Sequence, residues 1–290
     1  MADIPASLVK QLRDMTSAAM GACKKALEES GGDLKKAEEL LRAKNIKVEQ
    51  TQRSAAEGAV AMKVTPDQRA VAVVEMRCET DFAARSDNFQ KLIASITDEV
   101  LKARPADAAA ASKLPAVAKG LQEAGAITIR ENVVLAWAEV KSVDGDGAVG
   151  CYVHHNGSVG AAVGLRAPQA ATQKPAFVEL ARSLAMHVTA HDPSPLAVER
   201  GQIPADLVAR EKAIFMKQLD EDPKEKAKPA NIKEKVVEGR MRKFYEDRAL
   251  LEQKFVKDPE QSITQLLEKA SKELGGKVEL QWFVRRHVGA

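Results

Sequence analysis

Two sets of residues in this sequence have the types and spacing for chemistry. The first is Thr80-Asp81-Phe82, within Arg77-Cys78-Glu79-Thr80-Asp81-Phe82-Ala83-Ala84-Arg85-Ser86-Asp87-Asn88-Phe89, where an acid stands beside an aromatic at the end of an apolar run. Asp81, or Ser86 after it, can cap a helix by accepting free amide hydrogens while Phe82 folds back on the core. In the other reading the acid and the ring project together as a surface for another molecule. The second set is His187 and His191, four apart on a helical stretch, which puts two imidazoles on one face as in zinc sites. Val188 follows His187 where a zinc protease carries its glutamate base, and that removes the hydrolase reading. A structural zinc shared with Cys151, His154 or His155 stays open, but the preferred expectation is that His187 packs and His191 caps its helix before Asp192-Pro193. Neither a phosphate-cradling Gly, four residues, Gly-Lys-Ser/Thr nor a Gly-x-Ser-x-Gly elbow occurs. No catalytic residue, no metal and no cofactor is therefore expected.

The elements that must position the first set can be read on either side of it. Residues 70–76 form a buried β run, and Phe89, Leu92, Ile93, Ile96 and Val100 recur at the spacing of one helix face, so the tip is a strand-to-helix junction. Upstream, residues 59–77 give two β runs around the turn-forming Pro66-Asp67-Gln68-Arg69, a hairpin. Downstream, Pro105 ends the helical region, a short helix starts near Pro115, and residues 127–140 are β-prone up to the turn Asp144-Gly145-Asp146-Gly147. An internal repeat then emerges. Ala72-Val73-Val74-Glu75-Met76-Arg77 is echoed by Ala161-Ala162-Val163-Gly164-Leu165-Arg166, and Phe89, Leu92, Ser95 and Ile96 by Phe177, Leu180, Ser183 and Leu184. Where the first copy has Thr80-Asp81-Phe82 the second has Ala167-Pro168-Gln169-Ala170-Ala171. An acid and ring that one copy lacks are not needed to build the scaffold, which favours the surface reading.

The expected fold class is α+β, with a three-helix module, a two-part core built on the repeat, and an inserted helical hairpin. Residues 1–45 carry the three helices: Leu8 and Leu12 mark the first, Thr16 or Ser17 caps a second through Met20, Cys23 and Leu27 up to Gly31-Gly32, and Asp33 caps a third. Residues 46–58 lack an apolar stripe and read as a linker, and residues 59–145 form the first half of the core. Its second half comprises residues 146–195 and 238–290, closed by a strand at 278–284. Between them, residues 196–237 form the hairpin, a coiled coil with stripes at Leu207, Val208, Ile214, Phe215 and Leu219 and at Ile232, Val236, Val237, Met241 and Phe244.

Composition narrows the function classes. A chain of 290 residues holds two or three modules, and no apolar run approaches the roughly 20 residues of a bilayer helix. The start, Met1 to Ser7, carries an acid and no apolar stretch, so no secretory signal and a cytoplasmic location are expected. Three separated cysteines, Cys23, Cys78 and Cys151, fit a reducing compartment rather than a disulfide framework. A net charge of +3 and 4 % aromatics argue against direct nucleic-acid binding. The rival reading is an RNA-binding or structural interaction protein that uses Arg240, Arg242 and Lys243 on the hairpin with Arg285, Arg286 and His287.

Ser7-Leu8-Val9-Lys10-Gln11-Leu12-Arg13, Met20 with Cys23-Lys24-Lys25-Ala26-Leu27, and Cys78-Glu79-Thr80-Asp81-Phe82-Ala83-Ala84 resemble bacterial elongation factor Ts. So do Ile129-Arg130-Glu131-Asn132-Val133, Tyr152-Val153-His154, Ala185-Met186-His187-Val188 and Val237-Glu238-Gly239-Arg240-Met241, which keep the order of that family along the chain. The resemblance implies a guanine-nucleotide exchange factor for elongation factor Tu, a ubiquitin-associated-like (UBA-like) first module and a coiled-coil insertion. By position it carries over Arg13, Met20 and Lys24 as docking contacts and Thr80, Asp81 and Phe82 as the tip that disturbs the partner's magnesium site, with His154 or His155 as a further contact. A homodimer or a 2:2 complex with the partner is compatible with it. Gly21 and Ala22 depart from the family, which often has a larger apolar residue and an acid there.

Overall fold

Prolines and glycines punctuate this chain, and the apolar period between them decides which element forms. The computed structural model describes residues 4–16, 18, 20–43 and 54–289; the cap expected at Ser17 and most of the expected linker lie outside the described residues. Helices α1 (Ala6–Thr16), α2 (Met20–Glu29) and α3 (Leu34–Ala43) meet through Val9, Leu12, Cys23, Leu27, Ala37 and Leu41. Beyond α2, Gly31 and Gly32 take positive φ, and the Gly32 amide donates to the Leu27 carbonyl at 2.8 Å, closing the helix. Asp33 Oδ1 accepts from the Lys35 and Lys36 amides at 3.0 and 3.2 Å, the expected cap of α3. Thr16 does not cap α2. It ends α1, and its hydroxyl donates back to the Leu12 carbonyl at 2.6 Å.

In the core, β1 (Glu57–Val64) and β2 (Ala70–Cys78) form an antiparallel hairpin, and β3 (Val134–Ser142) pairs with the other edge of β2. Between β2 and β3 lie α4 (Asp81–Arg85), α5 (Asp87–Ala103), α6 (Ala108–Ala111), α7 (Pro115–Glu123) and one π-helical turn at Ala124–Thr128. That turn takes Ile127 and Thr128, the first residues of the β-prone run at 127–140, out of the sheet, and β3 begins only at Val134. The Ala124 carbonyl accepts from both the Ile129 and Arg130 amides, at 2.9 and 3.0 Å, and the wide turn this makes outweighs the β propensity of the run. The second sheet has the order β4 (Gly147–Val153), β5 (Val159–Arg166), β8 (Glu279–His287). After β5 come α8 (Gln169–Thr172) and α9 (Pro175–Ala190).

The two sheets meet through Val71, Val73, Val143, Val149 and Ala162, and each is covered by its own long helix. Phe89, Ile93 and Ile96 of α5 pack on the first sheet, and Phe177, Ala181 and Leu184 of α9 on the second. Helix α9 comes so close that a Cβ on Gly150 would fall 2.2 Å from the Ala181 carbonyl carbon, so no side chain fits there.

Helices α10 (Ala205–Glu221) and α11 (Ala230–Arg248) pack along Leu219, Val237 and Met241. Ile214 and Ile232 lie off that seam, 43 % and 38 % exposed. Helix α11 continues to Arg248, past the boundary expected at 237, because Phe244 and Tyr245 pack both on the seam and on Ala197, Ile203 and Ala249. At the base, Arg200 pairs with Glu252 and stacks on the Tyr245 ring at 4.4 Å, fixing the hairpin to the core. The chain ends with β6 (Lys254–Phe255), β7 (Asp258–Ser262), α12 (Ile263–Leu274) and β8, the expected closing strand. The architecture is α+β.

Candidate partner-binding site

Two helix caps in quick succession build the tip. Thr80 Oγ1 accepts from the Ala83 amide at 3.2 Å and starts α4, whereas Ser86 ends α4 and caps α5 by accepting from the Phe89 amide at 3.3 Å. Of the two caps read from the sequence, Ser86 serves and Asp81 does not. Asp81 is the first residue of α4, where its charge favours the helix N-terminus, and its Oδ2 lies 3.5 Å from Arg85 Nη2. Ala83 and Ala84 turn into the core, which leaves Phe82 facing outward, 83 % exposed. The ring does not fold back.

Further contacts hold this tip from behind. The Cys78 thiol, pushed up to about 12 by burial and by the charge of Glu131, stays protonated and donates to the Thr80 carbonyl at 3.2 Å. It is no nucleophile at neutral pH. The Glu131 carboxylate accepts from the amides of Glu79 and Thr80 and from the Thr80 hydroxyl. Asn88 Nδ2 donates to the Thr128 carbonyl at 3.3 Å, which brings Ile127, 64 % exposed, beside the first turn of α5. Sequence reasoning missed Ile127 because a β-branched residue in a β-prone run looks like a buried strand position; Gly125 was the only local mark of a turn.

His154 and His155 lie in the turn between β4 and β5, with ring centroids 4.2 Å apart and His154 Nδ1 3.0 Å from Asn156 Oδ1. In that turn the Gly157 carbonyl accepts from the Val60 amide at 2.8 Å. Val60 follows Glu57, the partner of Cys78, by three positions on β1. At about 3.3 Å per residue the histidine turn is about 10 Å from the tip along that strand, at the same end of the two sheets. Arg13, Met20 and Lys24 belong to the separate three-helix module. Arg13 is exposed in the last turn of α1, and Met20, 56 % exposed, begins α2 with Lys24 one turn later on the same face.

The other histidine pair does no chemistry of this kind. His187 is fully buried; its Nδ1 accepts from the Val256 amide at 3.2 Å, so Nε2 carries the proton, 3.0 Å from Gln253 Oε1. Burial drives its pKa down to about 4, against the upward pull of the Gln253 oxygen. Both ring nitrogens are committed, which leaves none for a metal. His191 takes the C-cap position of α9 as expected, its amide donating to the His187 carbonyl at 2.8 Å. Burial also pushes the Cys151 thiol up, and among the described residues no group of three or more His, Cys, Asp or Glu is placed to hold a metal ion. On the hairpin, Arg240 donates to Gln218 and Lys243 pairs with Asp247 at 2.7 Å. Among the described residues no helix is long and apolar enough to cross a membrane.

Comparison with known proteins gives a consistent likeness. Residues 79–290 match the family described as "Elongation factor TS". The chain is 34 % identical over 291 residues to "Elongation factor Ts" of a Nitratiruptor species, covering 99 % of this chain and 93 % of the relative. It is 37 % identical over 281 residues to "Elongation factor Ts" of Thiobacillus denitrificans, covering 95 % and 91 %. With the protein of that name from Parvibaculum lavamentivorans it shares 38 % identity over 302 residues, covering 100 % and 94 %.

Proposed function

The chain belongs to the elongation factor Ts family, and from that membership we propose that it acts as a translation elongation factor that binds GDP-loaded elongation factor Tu and promotes exchange of GDP for GTP. The observation that carries the site is Phe82, 83 % exposed at the end of a tip tied down on its inner side. Solvent-exposed phenylalanine on a held turn is poised to be buried by a partner. In this reading Phe82 enters between elements of the partner's nucleotide domain with Asp81 beside it. The displacement disturbs the magnesium ion and the backbone amides that hold the diphosphate, and the nucleotide loosens.

Exchange is a coupling between two ligands, each weakening the other by the same factor. An acceleration of about 10⁴ needs roughly 5.5 kcal/mol of differential interaction, whereas burying one phenylalanine supplies roughly 1.5–3 kcal/mol. Other surfaces must therefore contribute, namely Arg13, Met20 and Lys24 on the first module, UBA-like in this reading, and His154 with His155 near the tip. The two halves of the core read as a repeat, since β2 and β5 each lead through a short helix into a long one. The second short helix carries Gln169-Ala170-Ala171 and no outward ring, which supports a role for Phe82 outside scaffold building.

No covalent bond is made or broken, so this is a binding activity and not an enzyme; it operates in the cytoplasm, without direct nucleic-acid contact. The test is stopped-flow release of a fluorescent GDP from elongation factor Tu. Phe82→Ala and Asp81→Ala are expected to slow release, the first by about 10- to 100-fold; the unfolding midpoint should be unchanged in Phe82→Ala, whose ring faces solvent, and only slightly lower in Asp81→Ala, which loses a surface pair with Arg85. Wild-type rates in both variants would remove the wedge role.

A further inference from the structure

We propose that the turn at residues 130–132 aims the tip, with Glu131 as the positioning residue; this rests on the reading of Phe82 as the intruding group. Helix α4 is five residues long, too short to hold its own orientation, so the direction of Phe82 must be set by contacts from outside the helix. The strongest of these come from Glu131. Its Oε2 accepts from the Glu79 and Thr80 amides at 2.9 and 3.0 Å, and its Oε1 from the Thr80 hydroxyl at 2.6 Å. Three charge-assisted hydrogen bonds thus converge on the two residues that precede Asp81 and Phe82. The grip is reciprocal, because Glu79 Oε1 accepts from the Asn132 amide at 3.0 Å. The Thr80 hydroxyl joins the two systems: its proton goes to Glu131, and its lone pair takes the Ala83 amide inside α4.

Glu131 is itself aimed. Arg130 sits at φ 62°, in the left-handed region that a long side chain rarely takes, with its amide bonded to the Ala124 carbonyl at 3.0 Å and its Nε to the Ile127 carbonyl at 3.3 Å. Backbone held in that region marks a place where the surroundings over-determine the chain. Here the result is a carboxylate directed at a tip more than fifty positions earlier in the sequence. A tip ordered before encounter loses less freedom when it enters the partner, so its ordering is expressed in the rate of release.

The experiment compares Glu131→Gln, Phe82→Ala and the double variant by fluorescent GDP release from elongation factor Tu at saturating factor. The amide keeps the length but turns an NH₂ toward at least one of the three donors, so Glu131→Gln is expected to slow release by about tenfold. Amides 83 and 84 should exchange hydrogen faster while those of β2 and α5 do not change. Because Glu131 acts through the tip, it should add no further loss once Phe82 is removed. Equal fold losses in the presence and absence of Phe82 would make Glu131 a general structural residue and overturn the proposal. Unchanged release in Glu131→Gln alongside slowed release in Phe82→Ala would also overturn it and leave the wedge standing. Unchanged release in both would remove the wedge and this inference together. Thr80→Val deletes the bridging hydroxyl without touching the turn; it should reproduce the slow release, and wild-type release from a folded Thr80→Val protein would again count against the proposal.

Discussion

His187 keeps both of its buried hydrogen bonds only while its ring is neutral. Its folded pKa of about 4 lies below the ordinary 6.5 because burial penalises the charged form. Between those values the unfolded chain binds a proton that the folded chain refuses, so stability falls as pH drops from about 6.5 toward 4. The loss is on the order of 3 kcal/mol. Urea midpoints measured at pH 7 and pH 4.5 should fall less in His187→Gln than in the wild type, although the variant starts lower at pH 7. Parallel declines would mean that another group titrates. The burial of this histidine and the cap at His191 were legible locally, from the helical period and from Asp192-Pro193 that ends it. Its partner Gln253, 66 positions away, left no local trace. The tip had the same limit: Thr80 and Asp81 are both good caps by type, and only the strand direction entering from Cys78 selects the threonine and frees the acid.

Gly239 stands in the middle of α11, exposed, with nothing within 4 Å of where its Cβ would lie. Glycine in a helix interior costs about 0.5–1 kcal/mol relative to alanine. Gly239→Ala should therefore stabilise the hairpin by that amount, visible as slower hydrogen exchange in α11, and leave the rate of nucleotide release unchanged. Faster exchange would show that the open space is filled in solution. The hairpin itself was readable from Pro204 and two apolar stripes, because its seam is local. Its end was not: Phe244 and Tyr245 continue the same helical period and touch a second surface, at Ala197, Ile203 and Ala249, besides the seam, and period alone is blind to the identity of the neighbour. Ile127 failed for the opposite reason. There the local β signal was strong, but two amides converging on the Ala124 carbonyl bent the chain before any pairing could begin.

Across the whole molecule the two half-cores are joined by a small apolar patch, by hydrogen bonds such as those from the Val149 amide to the Gln68 carbonyl and from Trp282 Nε1 to the Ser142 carbonyl, and by one buried acid. Glu75, fully buried in the middle of β2, is reached by Arg286 Nη2 at 2.6 Å from the other sheet, by Arg77 Nε at 2.6 Å, and by the Gly289 amide at 3.2 Å. Burial pushes its carboxyl upward, but the two guanidiniums and the amide together outweigh it and hold the group below its usual range. The other sheet solves the same position differently. Both central strands bulge there, opposite a tryptophan, but on β5 the residue is Gly164, where a Cβ would strike the Trp282 ring. On β2 the facing Trp137 is stacked under Arg286 at 4.2 Å, which leaves room for an acid. The acid stands in what the sequence reads as a buried β run; Arg77 is two positions along the same strand, but Arg286 lies 211 positions away and only the packed sheets reveal it. Removing the charge takes away the buried carboxylate that Arg77 and Arg286 both bond, so Glu75→Gln should cost about 3 kcal/mol. The stabilisation is present above the unfolded carboxylate pKa and is lost as pH falls through the lower folded value, so the penalty of Glu75→Gln should shrink in acid. Guanidinium unfolding should show one transition at a lower midpoint with its slope retained, since the apolar patch still couples the halves. An unmoved midpoint would mean that water, rather than the opposite sheet, satisfies this carboxylate.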